Sequence, residues 1–132
     1  MARPKRSHDD CPYEAAAQAL KCIGGRWKIL IVRYLLEEGE TGFNALGRVL
    51  PGVSAKMLAQ QLRELEADGI VLRRELIETP PKRVVYALTP LGAGLRTVVE
   101  ALSSWGGAWR AARAGAQAEE TAGTALPTPT DH

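Results

Sequence analysis

The stretch LPGVSAKMLAQQLRELEADGIV, residues 50–71, decides the fold of this chain. Pro51-Gly52 is a turn signal. Ser54 can cap a helix, because its hydroxyl accepts from backbone N–H groups that have no partner in the first turn. Gly69 is a C-terminal stop, so the spacing predicts a helix over 54–68. At about 100° per residue, Ala55, Leu58, Leu62 and Leu65 share one side and form a buried stripe. Lys56, Gln60 and Arg63 fall on the other side, flanked by Met57, Gln61 and Glu64. Lys or Arg can donate to a guanine edge, and Gln can pair bidentately with adenine. An ordinary solvated helix face has the same composition, so the flanking segments must decide between the two.

Upstream, Cys11-Pro12 opens a first helix, since Pro at the first helical position loses no hydrogen bond. Tyr13, Ala16, Ala17, Leu20 and Ile23 make its apolar stripe, and Gly24-Gly25 ends it. A second helix covers about 26–38, with Trp27, Leu30, Ile31, Tyr34 and Leu35 at three- and four-residue steps. Gly39 stops it. A short third helix carries Phe43, Leu46 and Leu50. Downstream, residues 70–77 are rich in leucine and β-branched side chains and lack a helical stripe. Thr79-Pro80-Pro81-Lys82 breaks the run, and Val84, Tyr86 and Leu88 then alternate as a half-buried strand does. The pair reads as a β-hairpin with Lys82 and Arg83 at a stiff, basic tip. Three helices followed by a hairpin give a mainly α fold with a small β-hairpin, the order of a winged helix-turn-helix. In such a unit the fourth helix enters the major groove.

On this reading the tip cations suit phosphate or minor-groove contact. Arg73 and Arg74 on the first strand are further phosphate candidates, although one of them can instead pair with Glu75 or Glu78. Thr41 and Asn44 are candidates because helix starts attract anions. Lys28 and Arg48 are weaker ones.

Thr89-Pro90 opens the last helix. Leu91, Leu95, Val98, Leu102, Trp105 and Trp109 follow at steps of 4, 3, 4, 3 and 4, a heptad seam. Packing on its own domain is the plain alternative. The narrowness of the seam and its two terminal tryptophans favour a partner chain. Gly106 and Gly107 argue against an extended coiled coil.

The 132 residues suit one domain. Apolar residues make up 45% and charged residues 24%, which are globular proportions, and a net charge of +2 identifies no partner by itself. Residues 1–10 read as a flexible arm, 11–113 as the folded part and 114–132, rich in Ala, Thr, Pro and Gly, as a disordered tail. With no secretory signal and no run near the roughly 18 apolar residues of a membrane span, the expected location is the cytoplasm. No phosphate-binding glycine loop, zinc signature or nucleophile with a base is visible, so neither an enzyme nor a cofactor is expected. His8-Asp9-Asp10-Cys11 contains metal-ligand types, but adjacent residues rarely converge on one ion, and no metal site is expected.

The same segments resemble the HxlR-type regulators, winged-helix proteins close to the MarR group. The resemblance rests on Cys11-Pro12, GGRWKILIVRYLLEEG at 24–39, Phe43-Asn44-Ala45-Leu46, residues 50–71, PPKRVVYALTPLG at 80–92 and Trp105-Gly106. It implies a homodimeric transcription regulator whose N- and C-terminal helices build the dimer, giving Tyr13, Leu20, Leu91, Leu95, Val98, Leu102, Trp105 and Trp109 as interface residues. It implies recognition of double-stranded DNA by the fourth helix, which brings in Ser54, Met57 and Gln61 beside Lys56, Gln60 and Arg63, and phosphate contact by Lys82 and Arg83. A two-fold dimer would read an inverted repeat with half-site centres about 34 Å apart. The chain departs from the resemblance at Thr41-Gly42, where relatives often carry a basic residue before the Phe, and at Val85, where they usually carry Glu.

Some members of that family sense oxidants or electrophiles through a cysteine at the position of Cys11, which makes an oxidant or small-molecule effector a candidate partner. A helix N-terminus favours a thiolate, whereas Asp9 and Asp10 oppose it. Cys22 lies about 16 Å along the same helix, too far for an intrachain disulfide. A winged-helix protein-interaction module that does not read DNA is the alternative function.

Overall fold

The computed structural model describes residues 12–78 and 80–122. The order is α1 (Pro12–Ile23), α2 (Arg26–Glu38), β1 (Thr41–Gly42), α3 (Phe43–Val49), α4 (Ala55–Ala67), β2 (Val71–Leu76), β3 (Arg83–Leu88), α5 (Pro90–Ala93) and α6 (Arg96–Ala122). The chain divides into one unit through Arg96 and a second from Thr97. The first unit is a winged helix-turn-helix: α3, the Pro51-Gly52 turn and α4, then the β2–β3 wing.

The core forms where the helical stripes meet. Ile31, Val32 and Leu35 of α2, Leu46 of α3 and Leu58, Leu62 and Leu65 of α4 are all buried. Each such side chain contributes about 1.5–3 kcal/mol on leaving water. Ala55, expected with them, is exposed, because it is the first residue of its helix and lies ahead of the packed turns.

The ends of α4 are determined locally. The Ser54 side chain accepts from the Met57 N–H at 3.0 Å. At the other end Gly69 has φ +77°, and Ile70 N donates to Leu65 O at 2.9 Å while Gly69 N donates to Glu66 O at 3.0 Å. This is a Schellman stop, completed by burial of both Leu65 and Ile70. It turns the chain directly into β2.

The sheet has three strands in the order β1-β3-β2, both pairs antiparallel. The hairpin was legible in the sequence and β1 was not. Two residues carry no periodicity, and Thr41–Gly42 is a strand because β3 offers it a free edge opposite Tyr86 and Val85. The middle position of β3 also corrects the simple alternation read for it. Val85 and Tyr86, which point to opposite faces, are both buried. A central strand is covered on two sides, and Val85 suits that position.

Thr89 ties α5 to the wing. Its hydroxyl accepts from Gly92 N at 2.9 Å, capping α5, and donates to Gly69 O at 2.6 Å, with Ile70 O at 3.2 Å. Thr89→Val, which keeps the shape and removes both bonds, is expected to lower unfolding free energy by about 1–2 kcal/mol in denaturant titrations. An unchanged midpoint would show that the hydroxyl is dispensable.

The single last helix expected from the sequence is two. Gly92 and Gly94 weaken the segment, and Leu95 N reaches back only to Gly92 O, 2.9 Å, a three-residue step that ends α5 before α6 begins. Leu91 and Leu95 therefore do not share a helix with the rest of the seam. Val98, Leu102, Trp105 and Trp109 do share α6 and are exposed, while Val99 is buried. The tail boundary also shifts: α6 continues through residues 114–122. This segment lacks large apolar side chains, but Ala, Gln and Glu are strong helix formers and need no core.

Candidate nucleic-acid interface

The exposed face of α4 carries Lys56, Gln60 and Arg63, with Ser54 and Met57 also exposed and Gln61 half-buried. Burial of Leu58, Leu62 and Leu65 determines this, since a helix that turns its leucines inward must turn the opposite positions out. Beside that face, α3, α4 and the wing enclose a concavity of about 850 Å³. Asn44 and Arg48 of α3, Arg63 of α4, and Arg73, Lys82 and Arg83 of the wing line it, over an apolar floor that includes Phe43, Ala59 and Val84. The lining has five cations and no carboxylate.

The cations are not equally available. Arg73 lies 3.2 Å and Lys82 3.6 Å from Glu75, which the two share. Arg48, Arg63 and Arg83 make no ion pair among the described residues. Five cations with no carboxylate in one concave lining make its local potential positive, although the whole chain carries only +2. The guanidiniums among them are planar, forked donors that match phosphate oxygens.

Several expected contacts lie elsewhere. Arg74, one residue from Arg73 on β2, is on the other face of the sheet, where Nη2 reaches both Glu40 oxygens at 2.8 Å and Nε reaches Oε2 at 3.2 Å. Strand alternation separates the two arginines, and Arg74 is not in the concavity. Its partner is Glu40, and that of Arg73 is Glu75; the sequence offered Glu78 as well. Thr41 belongs to β1, and its hydroxyl donates to Gly39 O at 2.8 Å rather than facing outward from a helix start. Asn44 does reach the concavity.

Lys28, a weak candidate in the sequence, is a structural partner instead. Its Nζ lies 2.6 Å from Glu64 Oε1, with only 13% of the side chain exposed. Glu64 Oε2 also accepts from Gln60 Nε2 at 2.8 Å. The Lys28 ammonium first, and then the Gln60 amide, hold the Glu64 carboxyl below its ordinary pKa. A depressed carboxylate contributes stability above its unfolded pKa and loses it only as pH falls through the lower folded value, so this pair persists at neutral pH.

Neither Trp27 nor Tyr34 lines the concavity. Arg26 stacks its guanidinium 5.2 Å from the Trp27 ring. Cys11 and the His8–Cys11 run lie outside the described residues. Cys22, in the last turn of α1, is half-buried. Among the described residues no helix is long and apolar enough to cross a membrane.

Residues 22–114 match the model of the HxlR-like helix-turn-helix proteins. The chain belongs to the HxlR-like helix-turn-helix family. It is a DNA-binding transcription regulator of that family. Among its relatives is the HTH-type transcriptional regulator YkvN of Bacillus subtilis (strain 168), 41% identical over 97 residues, which are 74% of this chain and 78% of YkvN. Among solved structures, the redox regulator HypR in its reduced form is 38% identical with a TM-score of 0.66, over 73% of this chain and 93% of HypR. A MarR-family transcriptional regulator of Enterococcus faecalis V583 is 32% identical with a TM-score of 0.70, over 83% of this chain and 98% of that one. The matched HxlR segment contains all of α2 through β3, and with them the exposed α4 face and the cationic concavity.

Proposed function

We propose that this HxlR-family protein is a homodimer that reads an inverted-repeat operator. In this reading α4 lies in the major groove, with Lys56, Gln60 and Arg63 towards base edges and Ser54, Met57 and Gln61 alongside. Lys82 and Arg83 hold the adjacent phosphates, joined by Arg48, Arg73 and Asn44. The observation that carries the reading is the concavity in which Arg63 of α4 meets Arg83 and Lys82 of the wing, so that one duplex can engage both elements.

Dimerisation is supported by apolar surface that a single chain leaves in water. Tyr13 and Leu20 on α1, Leu91 on α5, and Val98, Leu102, Trp105 and Trp109 on α6 are all exposed, and Leu95 is half-exposed. Tryptophans 66% and 52% exposed on one helix are the anchors that interfaces favour. A redox input through Cys11 is part of the proposal; HypR, whose name is that of a redox regulator, is among the similar structures. Mild oxidation should then change operator affinity in the wild type and not in Cys11→Ser.

The deciding experiment is duplex binding against salt concentration. A protein holding several phosphates loses affinity steeply, with a log–log slope of about −0.9 per neutralised phosphate. Sedimentation of the complex should give two protomers per duplex. Flat salt dependence would exclude the phosphate-binding surface and leave the protein-interaction alternative.

A further inference from the structure

Glu64 is a carboxylate on the helix proposed to enter the groove, where an unneutralised negative charge would repel phosphate. The structure shows what offsets it. Lys28 comes from α2, buries most of its stem and brings Nζ to 2.6 Å from Glu64 Oε1. The second carboxylate oxygen, Oε2, accepts from Gln60 Nε2 at 2.8 Å. One carboxylate thus joins a scaffold lysine to an exposed amide on the reading face.

A carboxylate can only accept, so it selects the nitrogen side of the Gln60 amide. Nε2 turns along the helix towards Glu64, one turn C-terminal, and Oε1 is left on the opposite side. One N–H and the carbonyl oxygen remain unused by this contact. Together they are the donor–acceptor pair that complements N7 and N6–H of adenine. A free glutamine samples both amide orientations and several χ rotamers. Held at one end, it loses less freedom on binding and meets the base edge in one sense.

We propose that Lys28 and Glu64 are positioning residues for base recognition: Lys28 holds Glu64, Glu64 holds the Gln60 amide, and Gln60 presents one fixed donor–acceptor edge to a base pair. The inference rests on the reading of α4 as the recognition helix. Neither residue is required to touch a base. Glu64 acts through Gln60, and Lys28 through Glu64. The relay crosses from α2 to α4, so the element that supports the recognition helix also sets what it reads.

The test is selection from a randomised double-stranded DNA library by the full chain, then affinity measurements on the selected duplex and on versions changed at each base pair. Gln60→Ala identifies the base pair that Gln60 reads, with an expected loss of about tenfold in discrimination there. Glu64→Ala and Lys28→Met should each lose discrimination at that same base pair. Adding Glu64→Ala to Gln60→Ala should cost nothing more there, because both remove one unit. Lys28→Arg, which keeps the charge, should retain the preference. Lys28→Met keeps the apolar stem, so it remains informative if Glu64→Ala is poorly folded. A merely structural pair would give a different pattern: lower melting temperatures, affinity reduced for all sequences alike and an unchanged base profile. That pattern would overturn the relay while leaving the recognition helix in place. A Gln60→Ala profile identical to wild type, or a wild type with no preference among duplexes, would instead overturn the reading of α4 and the relay with it.

Discussion

Replacing Arg48 and Arg83 together by alanine is expected to lower affinity for duplex DNA by about a hundredfold or more near physiological salt. The magnitude comes from counting contacts. Each arginine faces the concavity and makes no ion pair among the described residues, so each can neutralise one phosphate per subunit. Two subunits lose four such contacts, and the salt slope should shrink by about 3–4. The loss should fall on all sequences alike, because phosphates carry no base information. Arg33→Ala is the control. That side chain is exposed on α2, pairs with Glu37 at 3.3 Å and lies outside the concavity. If the double variant binds with wild-type affinity and slope, the concavity is not where the phosphates lie.

Gly92→Ala is expected to be the most damaging small substitution in the fold. A Cβ at this position would sit 2.2 Å from Ile70 O and 3.1 Å from both Ile70 C and Leu88 Cδ2. The obstructing atoms are chiefly backbone and cannot rotate away. Gly92 N is also the donor that Thr89 caps, so moving it weakens the joint between wing and α5. Loss of at least about 3 kcal/mol is expected, seen as a melting temperature lower by roughly 10 °C or more. Gly47→Ala is the matched contrast. Its added methyl would meet Leu58 Cδ2 at 3.7 Å, an ordinary contact, inside α3. Alanine there should be neutral or stabilising by about 0.5–1 kcal/mol, because glycine costs more entropy in a helix. Equal melting temperatures for the two variants would show that Ile70 can yield.

The sequence alone was enough for everything that depends on neighbours along the chain. α4 was legible because three leucines repeat at helical spacing between Ser54, which caps it, and Gly69, whose positive φ stops it. Thr89-Pro90 marked a helix start for the same reason, and the Pro-rich break marked the hairpin. These signals are local: a cap, a stop and a stripe each act within one or two turns, and packing has only to agree with them.

Tertiary structure decided which side chains are available to act. Arg73 and Arg74 are adjacent and alike in sequence, yet one lines the concavity and the other is tied to Glu40, a partner 34 residues away. Lys28 looked like a weak surface cation until α2 brought it against Glu64. β1 exists only because β3 lies beside it, and the last helix divides where Gly92 must pass close to Ile70. Charge pairing and close approach act through space with no period along the chain. The residue types that build the surface could therefore be named from sequence, while their division into free and paired groups waited for the fold.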